Sequence, residues 1–181
     1  MKKTIQLVAL MAIAVMTAST FTACKKKGCT DITASNYDSD ANKDDGSCTY
    51  ITGCIDPKAD NYISNATKSD GSCTYPTINL NSVTGDGDVM GGGGTATAST
   101  TWSNSATKGE YSMDITSSNG GTFNLTVKDA AGTTVLNETL TAGIGDDSKS
   151  GLTSAGTAGT WTITITLTNF NGDGSYSVDP A

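Results

Sequence analysis

Apolar and polar side chains alternate with a period of two near the end of the chain. Between positions 160 and 169, Trp161, Ile163, Ile165 and Leu167 alternate with threonines. A strict alternation of this length predicts a β-strand that buries one face and presents a row of threonine side chains on the other.

Four shorter segments separated by turn-forming residues also predict strands, and the first two show the same alternation. They are residues 111–115, with Tyr111, Met113 and Ile115 on one face; Thr122–Lys128, with Phe123, Leu125 and Val127 on one face; residues 135–140; and residues 175–178. Asn-Gly-Asp-Gly at 171–174 predicts a turn before the last segment. No helical period of 3.6 occurs after position 24. These patterns predict a mainly β fold, with an antiparallel, jelly-roll-like β-sandwich over residues 76–181.

Residues 156–178 contain the motifs Gly-Thr-Trp-Thr-Ile and Gly-Asp-Gly-Ser-Tyr. In these motifs the segment resembles the final strands of bacterial prepeptidase-type C-terminal β-sandwich domains. The resemblance implies a sandwich fold, and it implies no particular binding or catalytic residues.

Four consecutive glycines occupy positions 91–94 and follow Gly-Asp-Gly-Asp at 85–88. A phosphate-binding loop needs a preceding strand and a following Lys-Ser/Thr pair, and neither is predicted here. The glycine run therefore predicts a mobile loop.

The first 23 residues have the pattern of an export signal. Lys2 and Lys3 precede an unbroken apolar run of ten residues from position 7 to 16, and small and polar residues follow it. Ten apolar residues are too few for a stable membrane-spanning helix. The segment therefore predicts a signal peptide over residues 1–23 rather than a permanent anchor helix.

The sequence Phe21-Thr22-Ala23-Cys24 resembles the lipobox at which bacterial lipoproteins are cleaved. The resemblance implies that Cys24 becomes the mature N-terminus, carries a diacylglyceryl thioether and gains an acyl chain, such as palmitate, on its amino group. Two or more such chains hold a protein on a membrane almost permanently. Residues 24–27 then form a lipidated tether whose lysines either pair with anionic headgroups or remain solvated.

Five cysteines are present, and lipidation of one of them explains the odd number. The other four recur with a period. Cys29 and Cys48 are 19 positions apart, Cys54 and Cys73 are again 19 apart, and the two units are offset by 25. Fifteen of the 23 aligned positions are identical, so the chain contains an internal tandem repeat.

The two repeats, residues 28–50 and 53–75, contain few bulky apolar side chains. Segments this poor in core residues need cross-links to offset the entropy of ordering the chain. The symmetry of the repeat favours disulfides within each unit, Cys29–Cys48 and Cys54–Cys73, each closing a loop worth roughly 3 kcal/mol. A zinc site is the alternative, but the spacing lacks CxxC pairs and an exported protein occupies an oxidising compartment.

The repeats resemble units of the form GCxDxxAxNYxxxAxxxDGSCxY that recur in surface and secreted proteins of Bacteroidota-type bacteria. The matching residues are Cys29, Asp31, Ala34, Asn36, Tyr37, Ala41, Asp45, Gly46 and Cys48, and then Cys54, Asp56, Ala59, Asn61, Tyr62, Ala66, Asp70, Gly71 and Cys73. This resemblance implies an extracytoplasmic spacer or interaction module and implies no catalytic activity.

Composition excludes several functions. The 181 residues include no His and no Arg, and the formal net charge is −7. Without His, the Ser-His-Asp and Cys-His nucleophile systems and imidazole metal ligands are excluded. The negative charge and the lack of Arg exclude nucleic acid as a partner. Glu110 and Glu138 are the only glutamates, and no local pattern marks a catalytic pair of carboxylates. We therefore expect no enzymatic activity.

Calcium is an alternative to the absence of any cofactor. Four carboxylates of the first repeat, Asp38, Asp40, Asp44 and Asp45, lie close in sequence, and calcium takes six to eight oxygen ligands. Against this hypothesis, the second repeat lacks most of the cluster, and an Asp-Gly-Ser turn explains Asp45 equally well. A second candidate set lies in the predicted sandwich: Asp86, Asp88, Asp146, Asp147 and Asp173.

Two functions are compatible with these features. The first is a non-enzymatic, lipid-anchored protein of the bacterial outer membrane, in which the disulfide repeats are a spacer that presents a β-sandwich interaction domain. The alternative is a carbohydrate- or calcium-binding surface adhesion module, in which Trp102 is the aromatic residue expected to be exposed for stacking on sugars. The three lysines after Cys24 differ from the acidic surface-export signals of such lipoproteins, so both a periplasm-facing and a surface position remain open.

Overall fold

The computed structural model describes residues 25–143 and 145–181. The predicted signal peptide and the predicted lipidation site, Cys24, lie outside the described residues. Every regular element in the described part is a β-strand, and this part contains no helix that could span a membrane. The chain divides into two compact units, one ending at Thr49 and the other comprising Tyr50–Ala181.

Each cysteine repeat contains one pair of very short parallel strands. In the first repeat β1 (Lys27–Gly28) pairs with β2 (Lys43–Asp44), and in the second β3 (Thr52–Gly53) pairs with β4 (Lys68–Ser69). The predicted disulfides are confirmed: Cys29 is bonded to Cys48 and Cys54 to Cys73, each with a Cα–Cα distance of 4.9 Å.

The same polar contacts of an asparagine side chain occur in both repeats. The side chain of Asn36 donates to the Ser47 carbonyl at 2.7 Å and accepts from the Thr49 amide at 2.8 Å. Asn61 makes the equivalent bonds in the second repeat, at 2.7 and 2.9 Å. Because the repeats bury so few apolar groups, we expect them to depend on these bonds and on their disulfides.

The remaining strands form a seven-stranded antiparallel sheet. They are β5 (Thr77–Ile78), β6 (Asp86–Asn104), β7 (Gly109–Ser118), β8 (Thr122–Lys128), β9 (Thr134–Thr141), β10 (Gly145–Leu152) and β11 (Gly159–Pro180). The two long strands β6 and β11 pair with each other along nearly their whole length. The first half of β11 also pairs with β8, and its second half pairs with β7.

This branching divides the sheet into two layers that share β6 and β11. One layer has the order β9-β8-β11-β6, and the other has the order β10-β7-β11-β6-β5. Phe123 of the first layer packs beside Gly174 of the second, where an added Cβ would lie 3.5 Å from the Phe123 ring. The predicted antiparallel sandwich is therefore confirmed.

The core follows the predicted alternation. Trp161, Ile163, Ile165 and Leu167 are fully buried. The apolar residues predicted on β7 and β8 join the same core: Tyr111, Met113, Ile115, Phe123, Leu125 and Val127. Thr164, on the opposite face of β11, is half-buried, and its hydroxyl lies 2.9 Å from that of Ser99 on β6.

Two predictions about turns are wrong. The segment 171–174 is not a turn between strands, because β11 continues through it to Pro180. The glycine run 91–94 is not a loop, because it lies inside β6. Both segments mark the place where the sheet changes from one layer to the other: Phe170 faces Gly94 and Asn171 faces Gly92, with shifts of register on either side of Phe170.

Glycine is required in the run at 91–94 for two reasons. Gly93 has φ of 117°, a left-handed conformation that other residues rarely adopt. A Cβ on Gly91 would lie 2.5 Å from the Phe170 carbonyl oxygen. The glycines that sequence alone assigns to a loop therefore provide a bend in a paired strand.

Candidate functional site

The outer face of the second layer is polar and acidic because strand alternation sends its small polar residues outward. On β7, Tyr111, Met113 and Ile115 face the core, so Ser112, Asp114 and Thr116 face outward. The same rule on β6 and β11 places further residues on this face: Asp86, Asp88 and Met90 on β6, and Asp173, Ser175 and Ser177 on β11.

The strand register sets these side chains in rows across the sheet. Ser175 is paired with Asp88 on one side and with Asp114 on the other. Its hydroxyl donates a short hydrogen bond of 2.5 Å to Asp114 Oδ1. In the adjacent row, Asp173 is paired with Met90 and Thr116.

A groove of about 450 Å³ lies over these two rows. Its lining includes three carboxylates, Asp88, Asp114 and Asp173, together with hydroxyl and amide groups of Thr77 and Asn79. Neutral polar ligands such as sugars are bound through groups of this kind, because carboxylates accept hydrogen bonds from sugar hydroxyls and hydroxyl and amide groups both donate and accept them.

Tyr176 lies beneath this acidic face. Its ring is buried, and its hydroxyl is a buried side-chain oxygen without a hydrogen-bond partner. Burial, reinforced by the negative charges of Asp86 and Asp88, raises the pKa of Tyr176 to about 12. The phenol is therefore even further from ionisation at physiological pH than an exposed tyrosine.

The predicted second carboxylate set is only partly brought together. Asp88 and Asp173 share the main groove, Asp86 and Asp88 share a neighbouring one, and Asp146 and Asp147 lie beside Asp114 farther across the sheet. Sequence reasoning missed Asp114, which pairs directly with Ser175. Within residues 25–143 and 145–181, no group of three or more Asp, Glu or Cys side chains is arranged so that it could hold a metal ion.

The four aspartates proposed as calcium ligands in the first repeat have other partners. Lys26 Nζ lies 3.0 Å from Asp38 and 3.2 Å from Asp40. Asp44 accepts from the Gly46 amide and Asp45 from the Ser47 amide, each at 3.0 Å. The hydrogen bond from Lys26 is the main reason why the pKa of Asp38 lies below its usual value.

The prediction that Trp102 is exposed is wrong. Trp102 is 3% exposed, and its ring packs edge-on against Trp161, with a centroid distance of 6.2 Å. The pairing of β6 with β11 places these residues opposite each other. Tyr111, Trp161 and Tyr176 are buried in the same core, so they do not provide an exposed aromatic platform either.

Comparison with known proteins finds weak similarity to solved structures. No family model and no curated protein matches this chain. The carbohydrate-binding module TmCBM61, solved in complex with β-1,4-galactotriose, is 11% identical with a TM-score of 0.36, over 59% of this chain and 69% of that one. A CBM4 structure is 9% identical with a TM-score of 0.37, over 58% and 76%. The isomalto-dextranase of Arthrobacter globiformis T6, complexed with panose, is 16% identical with a TM-score of 0.35, over 57% and 20%.

A contact that sequence reasoning missed joins the second repeat to the sandwich. Asp60 Oδ1 accepts hydrogen bonds from the backbone amides of Gly92 at 2.7 Å and Gly94 at 2.9 Å. The Lys58 carbonyl accepts from the amide of Thr95 at 2.9 Å. A Cβ on Gly94 would lie 2.5 Å from that carbonyl oxygen and 2.8 Å from Asp60 Oδ1, so glycine at this position permits the close approach.

Proposed function

We propose that this protein is a non-enzymatic, lipid-anchored component of the bacterial cell envelope that presents a β-sandwich binding domain. In this proposal Cys24 carries the lipid, the first repeat follows the anchor, and the second repeat is the base of the sandwich. The observation that carries the proposal is the bond of Asp60 to Gly92 and Gly94, because it makes a disulfide-stapled repeat an integral part of the displayed domain.

The contacts of Lys26 support a short anchor segment. The Lys26 carbonyl accepts hydrogen bonds from the amides of Asn42 at 3.0 Å and Lys43 at 3.2 Å, and its ammonium group binds Asp38 and Asp40. Lys26, two positions after Cys24 in the sequence, is therefore held within the unit that contains the first repeat. A lipid on Cys24 would hold the first repeat close to the bilayer.

The electrostatics of five aspartates support a structural rather than a catalytic role for these residues. Hydrogen bonds lower the pKa of Asp38, Asp45, Asp56, Asp70 and Asp129. A general acid needs the opposite shift. Glu138 forms an ion pair with Lys149, in which Lys149 Nζ lies 2.9 Å from Glu138 Oε2.

The lipid anchor is tested by Cys24→Ser in the native host. We expect the variant to leave the membrane fraction or to accumulate as an unprocessed precursor. The matched control is the double variant Cys29→Ser/Cys48→Ser, which also replaces cysteines but keeps the anchor, and it should remain in the detergent phase. A Cys24→Ser protein that is still processed and partitions into detergent would contradict the proposal.

Protease treatment of intact cells then decides the direction in which the protein faces. Cleavage of the sandwich in intact cells indicates surface display, and cleavage only after the outer membrane is permeabilised indicates a periplasmic position.

A carbohydrate ligand is the second candidate function, and the groove over Asp88, Asp114 and Asp173 favours it. The described groove offers hydrogen-bonding groups rather than an aromatic platform, so we expect recognition through sugar hydroxyls. A glycan array followed by calorimetry tests this function. Asp88→Ala/Asp173→Ala should abolish binding, whereas Asp179→Ala, outside the groove, should not. If no glycan on the array gives a signal, the carbohydrate-binding function is contradicted and the display function is not affected.

A further inference from the structure

We infer that residues 96–104 of β6 are a pairing edge through which two copies of this chain associate, strand antiparallel to strand. On one side this segment pairs with β11. On the other side, β5 covers Val89 and Met90, and the second repeat reaches as far as Thr95. Beyond Thr95, no strand in the described part of the chain pairs with that side of β6.

The chemistry of this edge differs from that of the other edges of the sandwich. Strand β9 carries Glu138, β10 carries Asp146, Asp147 and Lys149, and β5 is two residues long. Charges and short strands are the usual means by which proteins prevent strands from pairing between molecules. Residues 96–104, Ala-Thr-Ala-Ser-Thr-Thr-Trp-Ser-Asn, contain neither a charge nor a proline.

The exposed side chains of this edge favour a second copy as the occupant. Thr97, Ser99, Thr101 and Ser103 form an exposed row of hydroxyl groups. The same row already pairs with threonines of β11: Ser99 Oγ lies 2.9 Å from Thr164 Oγ1, and Thr97 donates to Thr166 at 3.4 Å. Hydroxyl pairs of this kind stabilise neighbouring strands.

Two copies of β6 reproduce this chemistry when they pair around Thr100. Ser99 of one copy then faces Thr101 of the other, and Thr97 faces Ser103. A two-fold interface uses the same surface twice, so one self-complementary row is sufficient. The chain has a net charge of −7, and this edge is a place where two copies approach without bringing like charges together.

Sedimentation equilibrium of the unlipidated chain from Lys25 to Ala181 tests the inference. We expect a monomer–dimer equilibrium, together with amide exchange in residues 96–104 that slows as the concentration rises. Ser99→Lys/Thr101→Lys places lysines opposite each other in the dimer. Because like charges directly opposite each other destabilise paired strands and the two-fold axis creates two such pairs, we expect the dimer to weaken about tenfold.

The control Thr134→Lys/Thr141→Lys adds the same charges to exposed positions of β9 and should leave association unchanged. A second pair, Thr97→Lys/Ser103→Lys, replaces the first if the first variant melts at a lower temperature. A chain that stays monomeric up to about 1 mM, or a dimer that the edge lysines leave intact, would overturn the inference. Binding of an extended peptide from another protein to a monomeric chain would also overturn it.

Discussion

Each of the two cysteine repeats contains its own disulfide, an Asn side chain that bonds to two backbone groups, and an Asp-Gly-Ser turn. The two repeats nevertheless belong to different units of the molecule. The first repeat lies in the unit that ends at Thr49, and the second is part of the unit Tyr50–Ala181. The difference arises at positions that the repeat does not share. Ser35 of the first repeat hydrogen-bonds to Thr49 within its own unit, whereas Asp60 at the equivalent position binds Gly92 and Gly94 of the sandwich.

A second pair of equivalent positions shows the same divergence. Lys26 and Asp38 form an ion pair in the first repeat, and Ile51 and Ile63 occupy the corresponding positions in the second. The same disulfide-bonded repeat therefore lies in a unit separate from the sandwich in one case and in the unit of the sandwich in the other, and the two copies differ in a few side chains outside the disulfide framework.

The largest effect is expected from a charge in the core of the sandwich. Ile165→Asp places a carboxylate among apolar side chains at a fully buried position, which costs several kcal/mol. Since domains of this kind have stabilities of about 5–15 kcal/mol, the sandwich should be severely weakened or unfolded. Amide exchange should then show that the second repeat loses protection with the sandwich and that the first repeat does not.

Thr164→Asp is the matched control for this core variant. It lies on the opposite face of β11 and loses one hydroxyl contact with Ser99, at a cost of about 1 kcal/mol. Equal losses in thermal melts of the two variants would show that both faces are equally intolerant of charge, which contradicts the single core.

A smaller effect is expected from removal of the disulfides. Cys29→Ser/Cys48→Ser should destabilise the first repeat by roughly 3 kcal/mol and leave the sandwich transition unchanged in calorimetry. Cys54→Ser/Cys73→Ser should also lower the melting temperature of the sandwich, because it loosens the segment that holds Asp60. If both double variants leave that transition unchanged, the second repeat is not part of the domain.

The smallest effect concerns pH and is confined to the first repeat. The Lys26 ammonium lowers the pKa of Asp38 below its ordinary value of 3.8. This stabilisation is therefore present above about pH 4 and is lost as the pH falls through the lowered pKa. In an NMR titration, Lys26→Gln should raise the midpoint of Asp38 and leave that of Asp70 unchanged, since Ser72 lowers the pKa of Asp70. An unchanged Asp38 midpoint would show that the ion pair does not form in solution.

Sequence periodicity predicted the parts of the fold in which bulky apolar residues alternate. The strands around Met113, Leu125 and Ile165 and both disulfides are confirmed because burial and repeat symmetry leave a direct signature. The sequence did not predict strand β6, because small residues alternate with other small residues in its second half. This pattern does not indicate which face of the strand Trp102 occupies.

Contacts between segments that are distant in the sequence are even harder to predict from local patterns. The bend at 91–94 looked like a loop, because glycine is compatible with both a loop and a strand bulge. The groove of the second layer depends on the register that brings Asp88, Asp114 and Ser175 into one row. The bond between Asp60 and Gly94 spans 34 positions, and no local pattern records it.

Amide exchange at Gly92 and Gly94 tests most directly whether Asp60 makes the second repeat part of the sandwich. Asp60→Ser introduces the residue found at the equivalent position of the first repeat and removes two bonds to a charged acceptor, each worth about 1.5–3 kcal/mol. We predict that both amides exchange slowly in the unaltered chain and at least about tenfold faster in the variant, with Ile165 unchanged. Ser35→Asp in the first repeat should alter neither glycine. Fast exchange of Gly92 and Gly94 in the unaltered chain, or equal rates in the chain and the Asp60→Ser variant, would contradict the account.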